Sequence, residues 1–171
     1  MIADRLKYGD EIRVIAPSTS LSCVWEKTYN EALSYLEAQG FKITFSKNAR
    51  EMDEFKSSSI KSRVEDIHDA FADKNVKMIF TCRGGFNVNQ ILPYLDYDLI
   101  KANPKILCGY SDITALLHAI YAKTGLVTYH GPHFSSFGFD NEKEYTKKCL
   151  YDCVMNDTPF LLTPSNTAQE Y

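Results

Sequence analysis

Two periods of apolar and polar positions take turns along this chain. Runs of strand length at residues 12–16, 41–45, 76–81, 105–108 and 126–129 stop at or near Pro, Gly or polar residues. Between them, Trp25, Tyr29, Ala32, Leu33 and Leu36 recur at helical spacing and end at Gly40. Ile60, Val64, Ile67 and Phe71 do the same after Ser59, and Ile113, Leu116, Leu117 and Ile120 after Ser111, up to Gly125. The pattern predicts shorter helical pieces over 87–95, despite Pro93, and over 98–102. A last helix is predicted over 144–156 and a short extended run over 159–162. This βαβαβαβαβ order predicts an α/β fold, flavodoxin- or Rossmann-like: a mostly parallel sheet, helices on both faces, right-handed crossovers. Ligands of such sheets sit outside the carboxyl ends of the strands. The loops at 17–22, 83–86 and 109–112 are therefore where a site belongs.

Composition narrows the function classes. The 171 residues suffice for one domain with a real core, and 44% hydrophobic with 24% charged residues is a globular composition. A formal net charge of -3, with basic residues scattered, argues against nucleic acid or an anionic membrane as partner. The N-terminus carries no apolar leader and no run is long enough to cross a bilayer, so the expected compartment is the cytoplasm. Five cysteines without a secretion signal read as reduced thiols, with Cys82 and Cys108 as small buried hydrophobes. Cys149 and Cys153 lie one helical turn apart, but nothing at finger-like spacing completes a zinc site, and Gly131-Pro132 splays His130 from His133. Neither a metal nor an organic cofactor is expected. Glu65, Asp66, Asp69 and Asp73 read as the solvated face of a helix.

The candidate chemistry lies at 106–117. A short apolar run ends at Gly109, and Ser111 opens an amphipathic stretch, the local plan of a nucleophile elbow. It departs from G-x-S-x-G because Ile113 stands where the last glycine would be. The plainer reading is that Ser111 or Asp112 caps a helix. Arg83-Gly84-Gly85-Phe86 also follows a strand, and an amide there with that of Asp112 would make a two-donor oxyanion hole, unless the glycines form only an ordinary turn. A serine nucleophile needs a base. His118 lies about 10 Å along the same helix, which leaves His130 as the internal candidate, with no acidic residue placed to orient it. No dinucleotide fingerprint or P-loop is present.

Arg83-Gly84-Gly85-Phe86, Asn103-Pro104-Lys105, the run from Gly109 to Leu116, His130-Gly131-Pro132 and the opening Leu6 to Ser18 together resemble the LD-carboxypeptidase family of serine peptidases, which includes the microcin C immunity peptidases. The resemblance covers essentially the whole chain. It implies Ser111 as nucleophile and the amides of Asp112 and Gly85 as oxyanion hole. It also implies that a glutamate and a histidine from a C-terminal domain complete the triad. The chain stops at Tyr171, about where that domain begins, so residues 1–171 are expected to be the nucleophile-bearing N-terminal domain, inactive alone. The full-length protein is expected to be a homodimer. Substrate contacts are expected from Arg83, Gly84, Phe86, Asn87 and Asn89. Arg83 resembles the muropeptide-recycling LD-carboxypeptidases; Asn87-Val88-Asn89, residues 94–98 and Ser135-Ser136-Phe137-Gly138 resemble the microcin-immunity branch. The preferred expectation is hydrolysis of an amide in an aminoacyl- or peptidyl-nucleotide. Muropeptide carboxypeptidase activity, a non-catalytic binding module and a regulatory domain sharing only the sheet are the alternatives.

Overall fold

In the computed structural model, which describes residues 1–139 and 143–164, the strands form one parallel sheet in the order β2-β1-β3-β4-β5. They are β1 (Glu11–Ile15), β2 (Lys42–Phe45), β3 (Val76–Thr81), β4 (Ile106–Gly109) and β5 (Tyr129–His130). The central strands are apolar on both faces, as expected where helices cover both sides. Helix α1 (Glu26–Ala38) leads from β1 to β2 and α2 (Ile60–Ala72) from β2 to β3. A 3-10 segment (Val88–Tyr94) and α3 (Tyr97–Ala102) precede β4; α4 (Thr114–Thr124) precedes β5 and α5 (Lys143–Val154) follows it. Helices α2, α3 and α4 pack in succession, while α1 packs on a 3-10 turn at Phe134–Gly138. The expected α/β architecture is the one observed.

This strand order has a consequence for function. The chain leaves β1 toward one edge and β3 toward the other, so the loops after these two strands part and open a crevice at their carboxyl ends. The loop after β4 borders the same crevice.

Departures from the expected elements have local causes. Residues 126–128 do not extend β5, because the Leu126 N–H donates to Thr124 Oγ1 (3.0 Å) and the Val127 N–H to the Met1 carbonyl (2.8 Å). Residues 88–94 form a 3-10 segment; Pro93 inside it has no N–H to give an α-helix. Residues 159–162 carry no strand pairing, and Leu161 and Leu162 are exposed. Asp66 corrects the solvated-face reading of α2: it is 3% exposed, and its Oδ1 accepts from the backbone N–H (3.1 Å) and Nδ2 (3.0 Å) of Asn48. Helix α2 thus ties down the loop after β2. Burial raises the Asp66 carboxyl to about 6, against the lowering by the Asn48 bonds. Cys82 and Cys108 are buried, and burial pushes both thiols well up.

Candidate active site

Strand β4 delivers the chain to the rim through a turn that needs glycine. A Cβ on Gly109 would stand 2.2 Å from Thr81 Oγ1 and 3.0 Å from Ile113 Cγ2. Ser111, two residues on, is exposed and has φ +62°. That left-handed conformation costs a residue with a Cβ roughly 1–2 kcal/mol. Ser111 opens the 3-10 turn (Ser111–Ile113) that leads into α4, so the Asp112 N–H lies in a first turn, where amides have no partner within the helix. The Asp112 carboxylate ties neighbouring loops through one oxygen: Oδ2 accepts from Ser18 Oγ (2.6 Å) and from the Val88 N–H (3.0 Å). One side chain therefore joins the loops after β1, β3 and β4.

Arg63 of α2 supports the same junction from beneath. Its guanidinium donates to the carbonyls of Pro17 (3.3 Å) and Asn87 (3.0 Å) and to Gln90 Oε1 (2.8 Å). Burial lowers the Arg63 pKa, and the charges of Asp53 and Asp112 oppose that.

The loop after β3 approaches the serine closely. A Cβ on Gly84 would lie 3.0 Å from Ser111 Cβ, 3.1 Å from Ser111 Oγ and 3.5 Å from His133 Nε2. One on Gly85 would stand 2.2 Å from Ser18 Oγ and 2.4 Å from Thr19 Oγ1. Both glycines are there for approach, since neither has a positive φ.

His133 is the unexpected member. It is 4% exposed, and its ring stacks on Tyr110 with centroids 4.1 Å apart. Nδ1 lies 2.9 Å from Thr81 Oγ1, and Nε2 is buried without a hydrogen-bond partner among the described residues. Thr81 Oγ1 also lies 3.2 Å from the Cys108 carbonyl; with its proton given to that carbonyl, it accepts from Nδ1–H and Nε2 is the bare lone pair. Burial, then the charge of Arg83, lowers its pKa to about 4, and the ring is neutral at pH 7. His130, the candidate base read from the sequence, is exposed and lines a separate hollow against α5. No histidine is hydrogen-bonded to Ser111 among the described residues.

These groups border a cleft of about 620 Å3 that contains Ser111, Gly84, Gly85, Arg83, Phe86, Thr19, His133 and Ser135. Trp25, Tyr110 and Phe139 complete its walls. Arg83 reaches across the mouth, its Nη1 donating to the Cys23 carbonyl (2.9 Å). Two other expected contacts lie elsewhere. Asn87 Oδ1 lies 3.1 Å from Ser18 Oγ, which shares its one proton between it and Asp112, and exposed Asn89 does not border the cleft. Sequence reading missed His133, Trp25 and Tyr110. Trp25 was read at helical spacing as the start of the first helix, whereas it precedes α1 and is 83% exposed. Among the described residues, no group of three metal-ligating side chains stands together, and no helix is long and apolar enough to cross a membrane.

Residues 12–131 match the LD-carboxypeptidase N-terminal domain family, a span that includes β2 to β5 and β1 from its second residue, as well as Ser111, Gly84 and Gly85. The chain belongs to that family. Among its members, a putative carboxypeptidase of Bacillus subtilis, YocD, is 53% identical over 97% of this chain and 51% of its own length. The microcin C7 self-immunity protein MccF of Escherichia coli is 39% identical over 81% of this chain and 40% of its own. A probable murein peptide carboxypeptidase of B. subtilis is 36% identical over 92% and 49%. Of solved structures, an MccF-like protein from Bacillus anthracis aligns at TM-score 0.90 with 58% identity, over 91% of this chain and 47% of that one. MccF in complex with glutamyl sulfamoyl guanosine aligns at 0.89 with 33% identity, over 94% and 50%. The chain spans about half the length of the curated relatives it matches.

Proposed function

We propose that this chain carries the nucleophilic half of a serine amide hydrolase, with Ser111 at a nucleophile elbow. The observation that carries the reading is Ser111 itself: an exposed hydroxyl in a left-handed turn at the end of β4, facing Gly84 across a cleft. Backbone strain of this kind is kept where it serves a site. In the reaction, Ser111 Oγ attacks the carbonyl carbon while its proton passes to a base. The amides of Asp112 and Gly85 receive the developing oxyanion. The carbon–nitrogen bond then breaks, the base returns the proton to the leaving nitrogen, and water hydrolyses the acyl-serine. That base belongs to the remainder of the full-length protein, since neither His130 nor His133 is bonded to Ser111.

For the substrate we favour an aminoacyl- or peptidyl-nucleotide. Trp25 and Phe86, 83% and 99% exposed, flank the cleft, and stacking a base on such a ring is worth about 1–3 kcal/mol. MccF has been solved with a glutamyl sulfamoyl guanosine bound. The second reading is muropeptide carboxypeptidase activity, favoured by Arg83 at the cleft mouth, whose fork suits a terminal carboxylate. Comparing kcat/KM of the full-length protein on an aminoacyl sulfamoyl-adenosine and on an L,D-tetrapeptide decides between them. Preference for the nucleotide, reduced tenfold or more by Trp25→Ala, is expected. Preference for the tetrapeptide, lost in Arg83→Ala, would assign the second reading.

A further inference from the structure

Among the described residues, four buried side-chain polar atoms have no partner, and of these His133 Nε2 is the one whose residue lines the cleft. Nε2 of His133 is buried and lies 3.5 Å from where a Gly84 Cβ would stand, a point 3.1 Å from Ser111 Oγ. An unmet buried acceptor costs about 1–3 kcal/mol, so the site holds it ready for a donor that arrives later. Three features fix what donor it takes. The Thr81 bond makes Nε2 an acceptor only. The charges of Arg83 and His130 bear on the ring and disfavour a cation beside it. Finally, a carbonyl carbon about 3–3.5 Å from Oγ, the spacing of a near-attack geometry, brings the nitrogen bonded to it toward the same point.

Resting on the nucleophile reading, we propose that His133 is a substrate-reading residue whose Nε2 accepts a hydrogen bond from the N–H of the scissile amide. This bond would select amides over esters. It would also hold the N–H toward Gly84, so that the lone pair formed on nitrogen in the tetrahedral intermediate points away from His133, toward the external proton donor. The protein contributes the acceptor; no proton moves to or from His133. Its low basicity suits that part and makes it a poor general base.

The test uses the full-length protein and a pair of substrates differing only in the scissile link, amide N–H against ester oxygen. His133→Phe, which keeps a ring to stack on Tyr110, should lower kcat/KM for the amide ten- to a hundredfold and for the ester less than threefold. His133→Gln, which can again offer an oxygen acceptor, should recover part of the amide rate. Equal losses on both substrates would make His133 structural and overturn the inference. Losses of a thousandfold on both would make it the base and overturn it equally. Ser111→Ala separates the two layers of the account. If it is dead while His133→Phe treats both links alike, only this inference fails. If it still turns over, the amide is not attacked by Ser111, and both readings fall.

Discussion

Ser111 sits where strain, exposure and close packing coincide. Its φ of +62° is shared among the non-glycine described residues only with Lys56. The sequence marked the position through Gly109 and the apolar helix that follows, but no residue pattern encodes a left-handed angle at a serine, so the strain was not legible. Gly85 offers a sharp test at this scale. An added Cβ would overlap Ser18 Oγ, Thr19 Oγ1 and, at 3.1 Å, the Thr19 backbone nitrogen, so the loop must move. Gly85→Ala in the full-length enzyme is expected to lower kcat by about a hundred- to a thousandfold with KM little changed, the loss typical of one oxyanion donor. An unchanged kcat would remove Gly85 from the hole. His133 escaped sequence reading for a different reason. Its role follows from which side of a Gly-Pro turn it falls on, and only the packing of β3, β4 and Tyr110 determines that.

At the scale of elements, the alternation of periods was enough to place the first four strands and the main helices, while the fifth strand, expected over 126–129, shares only Tyr129 with β5. It failed where polar residues act inside. Helix α2 looks amphipathic, yet Arg63 and Asp66 point inward to hold the loops after β1, β2 and β3. Nothing in their spacing separates a buried charge with partners from a solvated one. The Asp112 carboxylate is the corresponding fastening on α4. Asp112→Ala strands the Val88 N–H, leaves Ser18 Oγ only its longer contact with Asn87 Oδ1, and should destabilise the fold by about 1–3 kcal/mol. Because the Asp112 amide survives the substitution, activity lost beyond that from misfolding would report displacement of the loops. Urea unfolding alongside kcat measures both. A variant as stable as the parent would show that the fastening is redundant.

For the whole molecule, two buried groups oppose each other in acid. The Asp66 carboxyl is raised by burial to about 6 from an ordinary value of about 3.9. The stability it contributes is full below about pH 4 and lost as pH rises through about 6. His133 is depressed by burial to about 4 from about 6.5, so its contribution is present above that value and lost as pH falls toward 4. Over pH 4–6 the two slopes cancel in large part. Asp66→Asn should unmask a rise in unfolding free energy with pH, and His133→Phe a fall, each on the order of 1–2 kcal/mol across the window. Variant curves parallel to the parent's would refute both assignments. Residues 1–171 span about half the length of the relatives. The proposed nucleophile Ser111 and the proposed oxyanion amides lie within them, and among the described residues no histidine is hydrogen-bonded to Ser111.

The central claim, that Ser111 is an activated nucleophile, is tested most directly by treating the full-length protein with a fluorophosphonate and mapping the adduct by peptide mass spectrometry. The account predicts a single stoichiometric adduct on Ser111, absent from Ser111→Ala. An active enzyme that carries no adduct at Ser111, or carries it on another residue, would contradict it.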